Sequence, residues 1–158
     1  MLVRYYVDVD RSLEEVERKL DVSRGDLGAW AAAAYREGEQ VRARIGFGPG
    51  PLSKTVEMII GDPMHGTETV TYPIVWRASG PVGLFPSMDA ELVLAAMGPD
   101  RTHITFQGRY EPPLEAVGKL IDRAAMHRVA ESTVRHLVER LAASLENGLP
   151  GEPPGAVS

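Results

Sequence analysis

The spacing of apolar residues along this chain changes period three times, and each change marks a new kind of element. Residues 2–9 alternate, with Val3, Tyr5, Val7 and Val9 on one side and Arg4, Tyr6 and Asp8 on the other, which predicts a half-buried strand. Ser12 with Glu15 three positions on makes a capping box over Leu13, Val16 and Leu20, so a short helix follows. Asp26 reads as a second N-cap, and the alanine run of residues 27–35 favours a second short helix. From Gln40 the period returns to two: Val41, Ala43, Ile45 and Phe47, then Val56, Met58 and Ile60. Asp62 to Gly66 reads as a turn, and residues 67–79 as strand again. Within that strand Pro73 marks an edge or a bend, after which Ile74, Trp76 and Ala78 share a face. Residues 88–97 and 102–110 form a hairpin around Gly98-Pro99-Asp100, with Ile104 and Phe106 inward and His103, Thr105 and Gln107 outward. Gly108, inside that strand, is expected to mark a bulge or bend.

The last third is helical. Pro112-Pro113 stops the strands, and from Val117 a stripe runs through Leu120, Ala124, His127, Glu131, Val134, Val138, Leu141 and Leu145. Seven of its nine positions are apolar, and the two polar ones, His127 and Glu131, sit together in the middle. Residues 147–158 are rich in Pro and Gly and read as a disordered tail. The expected fold is therefore α+β: a curved antiparallel sheet of about seven strands wrapped around a long C-terminal helix, with two short helices after the first strand. Residues 1–146 make one domain.

Composition narrows the function. A net charge of -5 with no Lys/Arg cluster argues against nucleic acid as a partner. The absence of cysteine excludes disulfides and thiol catalysis and removes the commonest zinc ligands. None of the four histidines falls in a metal-binding spacing, so no metal site and no cofactor are expected. No segment reads as a signal peptide or approaches the roughly 20 apolar residues of a membrane helix, so a cytoplasmic protein is expected, as a monomer or homodimer. Richness in Ala, Arg, Gly and Pro beside a single Asn points to a bacterial gene.

The element order, the opening VRYYVDVDRSLEEVERKL, and the stretches FPSMDAELVLAAMG and ITFQGRYEPPLEAVGKLIDRAAMHRVAESTVRHLVERLA resemble the START/SRPBCC superfamily, the helix-grip fold of birch-pollen-allergen-like and polyketide cyclase/dehydrase-like proteins. The resemblance covers residue 2 to about residue 146. It implies a hydrophobic cavity between sheet and terminal helix, in which lipids, sterols, polyketides or plant hormones bind. A minority of members are cyclases, dehydratases or hydrolases. The superfamily has no universal catalytic motif, so the resemblance assigns no residue roles.

Candidate chemistry then rests on the residues themselves. His127 and Glu131, four apart, are neighbours on one helical face. An unpaired buried charge costs several kcal/mol, so the two either pair, meet a group of the sheet, or face a wet cavity. They could anchor a ligand hydroxyl or carbonyl, or act as an acid/base pair, or be an ion pair at the cavity mouth. Tyr5, Tyr72 and Trp76 point to the concave side, where rings with a polar tip suit an amphipathic ligand or simply fill the core. With Leu92, Phe106 and Ala124 these five make the expected ligand-contacting set, and His127 and Glu131 are the only catalytic candidates. Gly46 to Gly50 lacks the run of backbone donors of a phosphate cradle, because Pro49 and Pro51 interrupt it, and reads as a lid or an ordinary turn. The expected function is binding of a small hydrophobic or amphipathic molecule such as a lipid or polyketide, for transport or sequestration. The alternatives are an aromatase/cyclase-type enzyme using His127 and Glu131, and an interaction module whose cavity is filled by large side chains.

Overall fold

The computed structural model describes residues 1–27, 30, 33, 55–79, 87–110 and 123–147, with the side chains of 55–56, 78–79, 87 and 123–126 excepted. In chain order these residues form β1 (Leu2–Val9), α1 (Leu13–Val22), a single 3-10 turn (Ser23–Asp26), β2 (Thr55–Ile60), β3 (Met64–His65), β4 (Thr69–Ser79), β5 (Ser87–Ala96), β6 (Thr102–Tyr110) and α2 (Arg123–Asn147). The sheet is antiparallel, in the order β1-β6-β5-β4-β2, with β3 also paired to β4. The α+β expectation thus holds, with six strands among the described residues. The expected strand of Val41 to Phe47, the glycine loop at Gly46, most of the second short helix, the start of the long helix and the tail from residue 148 lie outside them.

Local chemistry explains each element. Ser12 caps α1: its hydroxyl accepts from Glu15 N at 3.3 Å, and the Glu15 carboxylate accepts from Ser12 N at 3.2 Å. Backbone hydrogen bonding from Ser12 is the main reason the Glu15 carboxyl sits below its ordinary pKa. Asp26 ends a 3-10 turn that follows α1, and Leu27 directly after it is already helical. Residues 62–66 are more than a turn, since Met64 and His65 pair with Thr71 and Val70. Pro73 is accommodated where β2 ends and β3 has not begun. Its carbonyl accepts from Gly61 N at 2.8 Å, and its missing N–H would point to that same gap. A Cβ on Gly61 would lie 2.6 Å from the Pro73 ring, so only glycine fits there. The pleat passes through Pro73 without a slip, and Tyr72, Ile74 and Trp76 are all buried. Gly98, at φ +92, turns the β5–β6 hairpin, which Met97 N closes on Arg101 O at 2.8 Å.

Gly108 does not form a bulge. The ladder runs evenly through it, paired with Val3 on one side and Ala90 on the other. Glycine is needed because Met88 folds over it: a Cβ would meet the Met88 sulfur at 2.7 Å. Thr105 also departs from expectation. It faces outward yet is buried, because it sits on a central strand between its cross-strand partners Tyr6 and Val93.

The inner face of the sheet reads as cross-strand rows. Met58, Trp76, Met88 and Tyr110 form one row, and Ile74, Ala90, Gly108 and Val3 the next. Then come Tyr72, Leu92, Phe106 and Tyr5, followed by Val70, Leu94, Ile104 and Val7. Helix α2 crosses these rows. Its residues Ala130, Thr133 and Val134 meet Trp76 and Met88, while Glu139 reaches Tyr5. At its far end the Glu146 and Leu145 carbonyls accept from Arg11 at 2.9 Å and from Lys19 at 3.3 Å. Cations at the last turn satisfy carbonyls that have no partner within the helix and oppose its dipole.

Candidate functional site

The core between sheet and helix holds Tyr72, Trp76, Leu92, Phe106 and Tyr110 almost wholly buried, packed under Val129, Ala130, Val134, Leu137, Val138, Leu141 and Leu145. The buried face of α2 is therefore not quite the stripe read from the sequence. Val134, Val138, Leu141 and Leu145 lie on it, but its next position is Ala130, not Glu131. Apolar Val129 and Ala130 turn inward, and a 3.6-residue period then carries Glu131 off the contact line. The expectation that Glu131 faces the sheet is corrected. Its side chain is 56% exposed and that of His127 37%, so the pair sits at the rim. His127 Nε2 lies 3.1 Å from Glu131 Oε1, an ion-pair contact between residues four apart. The other ring nitrogen of His127, Nδ1, is buried and has no hydrogen-bond partner among the described residues.

Trp76 Nε1 and Ser23 Oγ share that condition, each on a residue 1% exposed. Tyr72 is fully buried, with its hydroxyl directed to Asp21 on α1. The Arg24 guanidinium stands 5.6 Å over the Tyr72 ring, held by Asp21 at 3.0 Å. Burial, then the negative charges of Asp21 and Glu17, push the Tyr72 phenol up to about 12. Glu17 in turn contacts His65 on β3, so charged side chains close this end of the interior.

At the opposite end stands Tyr110, which the sequence reading did not place in the site. It is fully buried, and its hydroxyl donates to the Met1 sulfur at 3.3 Å. Its phenol too is pushed up to about 12, by burial first and then by the charge of Glu131. The signal was available: Tyr110 continues the even-numbered inward face of Ile104 and Phe106 and pairs with Met88. Thr133, also missed, is a buried hydroxyl that donates to the Val129 carbonyl at 2.9 Å.

The remaining expected residues fall as follows. Tyr72, Leu92, Phe106 and Tyr5 form one row, but Tyr5 stands at its outer end. It is half-buried, with its hydroxyl donating to Glu139 at 3.0 Å on the exposed flank of α2. Burial first, then Glu139, raises its pKa. Ala124 lies in the first turn of α2, and its side chain is outside the described residues. Between Trp76, Met88, Ala130, Thr133 and Val134 remains a cavity of about 10 Å³, close to the space of one water molecule. A wider depression of about 660 Å³ lies on the other side of the sheet. Leu2, Pro73, Val75, Asp89, Glu91 and Arg109 are among the residues that line it, and none of the expected ligand-contacting residues is. Of the buried unpartnered atoms, Trp76 Nε1 and His127 Nδ1 lie on the inner side, so the inner side carries the candidate chemistry. Among the described residues no group of three or more His, Asp or Glu could hold a metal, and no helix is long and apolar enough to cross a membrane.

Two solved structures share this architecture over nearly the whole chain. A START superfamily protein from Mycobacterium smegmatis superposes with a TM-score of 0.55 at 17% identity, covering 92% of this chain and 97% of that one. A conserved protein from Geobacillus kaustophilus gives 0.54 at 12% identity, covering 91% and 94%. The Zhui aromatase/cyclase from a Streptomyces species aligns over 99% of both chains at 12% identity, but at a TM-score of 0.45 the superposition is too loose to bear on chemistry. No protein-family model and no curated protein matches the chain. At these identities the likeness is one of fold. The chain has the helix-grip fold that its sequence resemblance implied.

Proposed function

We propose that this protein binds a small hydrophobic or amphipathic molecule, lipid-like or polyketide-like, between its sheet and α2, and that it does so in the cytoplasm. The observation that carries the reading is a pair of buried polar atoms without a partner among the described residues: Trp76 Nε1 and His127 Nδ1. Folded interiors satisfy nearly all such atoms. Each one left unmatched costs ~1–3 kcal/mol. Two of them at one sheet–helix interface are a cost that a ligand's polar groups would offset, while its apolar part gains about 25 cal/mol for each Å² removed from water. The fold shared with a START superfamily protein supports the same reading. Native mass spectrometry of the freshly purified protein, against its denatured mass, tests it. An extra mass that leaves on denaturation is expected. A bare mass, both as purified and after incubation with a total lipid extract, would refute the reading.

A further inference from the structure

We propose that the outer face of the sheet is a homodimer interface, on which a second copy of this chain packs with its β6 over β5 of the first. The inference goes beyond the ligand-binding reading and stands apart from it, because this face lies on the side of the sheet away from α2. The ladders set its side chains in cross-strand rows. One row holds Leu2, Arg109, Asp89, Val75 and Ile59, across β1, β6, β5, β4 and β2. The next holds Arg4, Gln107, Glu91 and Pro73. The one after it holds Tyr6, Thr105, Val93 and Thr71, with Met64 beyond them on β3. Six large apolar side chains of the described residues are exposed, and four of them, Leu2, Tyr6, Ile59 and Met64, lie in these rows. Asp89 and Arg109 are exposed too. They stand opposite each other on adjacent strands, yet neither forms an ion pair among the described residues.

Charged and apolar positions together fix the arrangement. Two like faces meet through a twofold axis lying in the plane between them. An axis parallel to the strands keeps each row at its own height and reverses the strand order. Placed between β5 and β6, it sets Asp89 of each copy opposite Arg109 of the other, and Glu91 opposite Gln107. The wings then match as well. Leu2 falls against Val75 and Ile59 of the second copy, and Tyr6 against Thr71 and Met64. Moved onto β5, the axis would set Asp89 and Glu91 against their own counterparts, and between β5 and β4 it would leave Asp89 against Val75. The four overlapping strands are about 4.8 Å apart, and with the eight residues of β1 at about 3.4 Å each they cover roughly 20 by 27 Å. That is the scale of a standard interface, about 800 Å² of accessible surface per partner. Aligned sheets pack about 10 Å apart. The depression of about 660 Å³ along the first two rows gives the facing side chains room to interdigitate.

The test is sedimentation equilibrium of the full chain and of two charge reversals, Asp89→Arg and Arg109→Asp, at low ionic strength. Circular dichroism checks that each variant is folded, and both positions are exposed, so neither change reaches the core. The wild-type protein is expected to be a dimer. Each reversal alone puts two like-charge pairs at the centre of the interface and is expected to weaken the dimer about tenfold or more. Mixing the two variants in equal amounts sets each new charge opposite its complement on the other chain. The mixture is expected to dimerise within about threefold of the wild type. Leu2→Asp, at the wing, needs no second variant and is expected to weaken the dimer about tenfold as well. A wild-type protein that is monomeric throughout a concentration series would overturn the proposal, whether another protein or nothing at all covers this face. A dimer indifferent to the reversals and to Leu2→Asp, or a mixture no tighter than its components, would overturn it too, since the contact would then lie elsewhere. None of these results bears on what the interior binds, which the mass measurement tests separately.

Discussion

The two buried phenols make a prediction about alkaline pH that follows from their placement alone. Tyr72 and Tyr110 are both fully buried, and each is pushed from the ordinary value of 10 up to about 12. Burial is the larger cause in both. Asp21 and Glu17 add to it at Tyr72 against the opposing Arg24, and Glu131 adds to it at Tyr110. At neutral pH each phenol is protonated in the folded and the unfolded chain, and the shift has no effect on stability. Above pH 10 the unfolded chain gives up these protons while the folded one keeps them. The contribution is therefore whole below pH 10 and is lost between 10 and 12. At ~1.4 kcal/mol for each pKa unit, each ring stands to lose about 3 kcal/mol over that window, and about 2 kcal/mol of it by about pH 11.5.

Urea unfolding followed by circular dichroism at about pH 9 and about pH 11.5 measures the loss directly. Tyr72→Phe is the cleaner comparison, because it removes the phenol and keeps the ring. At neutral pH that variant should lie within about 1 kcal/mol of the parent, the worth of one hydrogen bond to Asp21. Across the alkaline interval it should lose about 2 kcal/mol less than the parent. The other three tyrosines of the chain serve as an internal control, since both proteins carry them. If Tyr72→Phe loses as much stability as the parent over the interval, the phenol is not held neutral by its surroundings, and the account of that end of the interior is wrong.

Two further outcomes test the packing. Gly108→Ala places a Cβ 2.7 Å from the Met88 sulfur and 3.1 Å from the Ala90 Cβ, and should cost ~1–3 kcal/mol. Because a methionine can move and Ala90 cannot, adding Met88→Ala should recover part of the Gly108→Ala cost, and simple additivity in a double-mutant cycle would contradict the contact. Ser12→Ala removes the cap of α1 and should cost ~0.5–2 kcal/mol in thermal or chemical unfolding; no measurable change would mean that α1 does not depend on its capping box.

How much of this was legible in the sequence depended on how local the cause was. The strands of β1, β5 and β6 and the cap of α1 follow from alternation and from one serine–glutamate pair, and both work within a few residues. The inward face of β4 was equally legible, although Pro73 threatened to reverse it. What preserved the register was a glycine twelve positions upstream, which leaves room for the proline ring across the strands. A contact of that kind has no periodicity to announce it. The same is true of Gly108, read as a break in the sheet when it is a seat for Met88, and of Thr105, buried by neighbours on two other strands. On the long helix the error was a rotation. Alternate steps of three and four fit both 127-131-134 and 127-130-134, and the sequence offers no rule for choosing between them except that alanine is easier to bury than glutamate. That choice moved Glu131 from the interior to the rim, where it meets water and His127.

The consequence of that rotation reaches the function. A glutamate under the sheet would have needed a buried cation, and the pair would have been a closed structural unit. At the rim Glu131 keeps its charge in water and still orients the His127 ring, so that one imidazole nitrogen is spent on the carboxylate and the other is left inside without a partner. The helix is secured elsewhere, by Arg11 and Lys19 on the carbonyls of its last turn. Its opposite half meets the sheet through small side chains, Ala130 and Thr133, against the adaptable Met88. The unmatched donor of Trp76 and the unmatched nitrogen of His127 lie at that half, among side chains that are small or can yield.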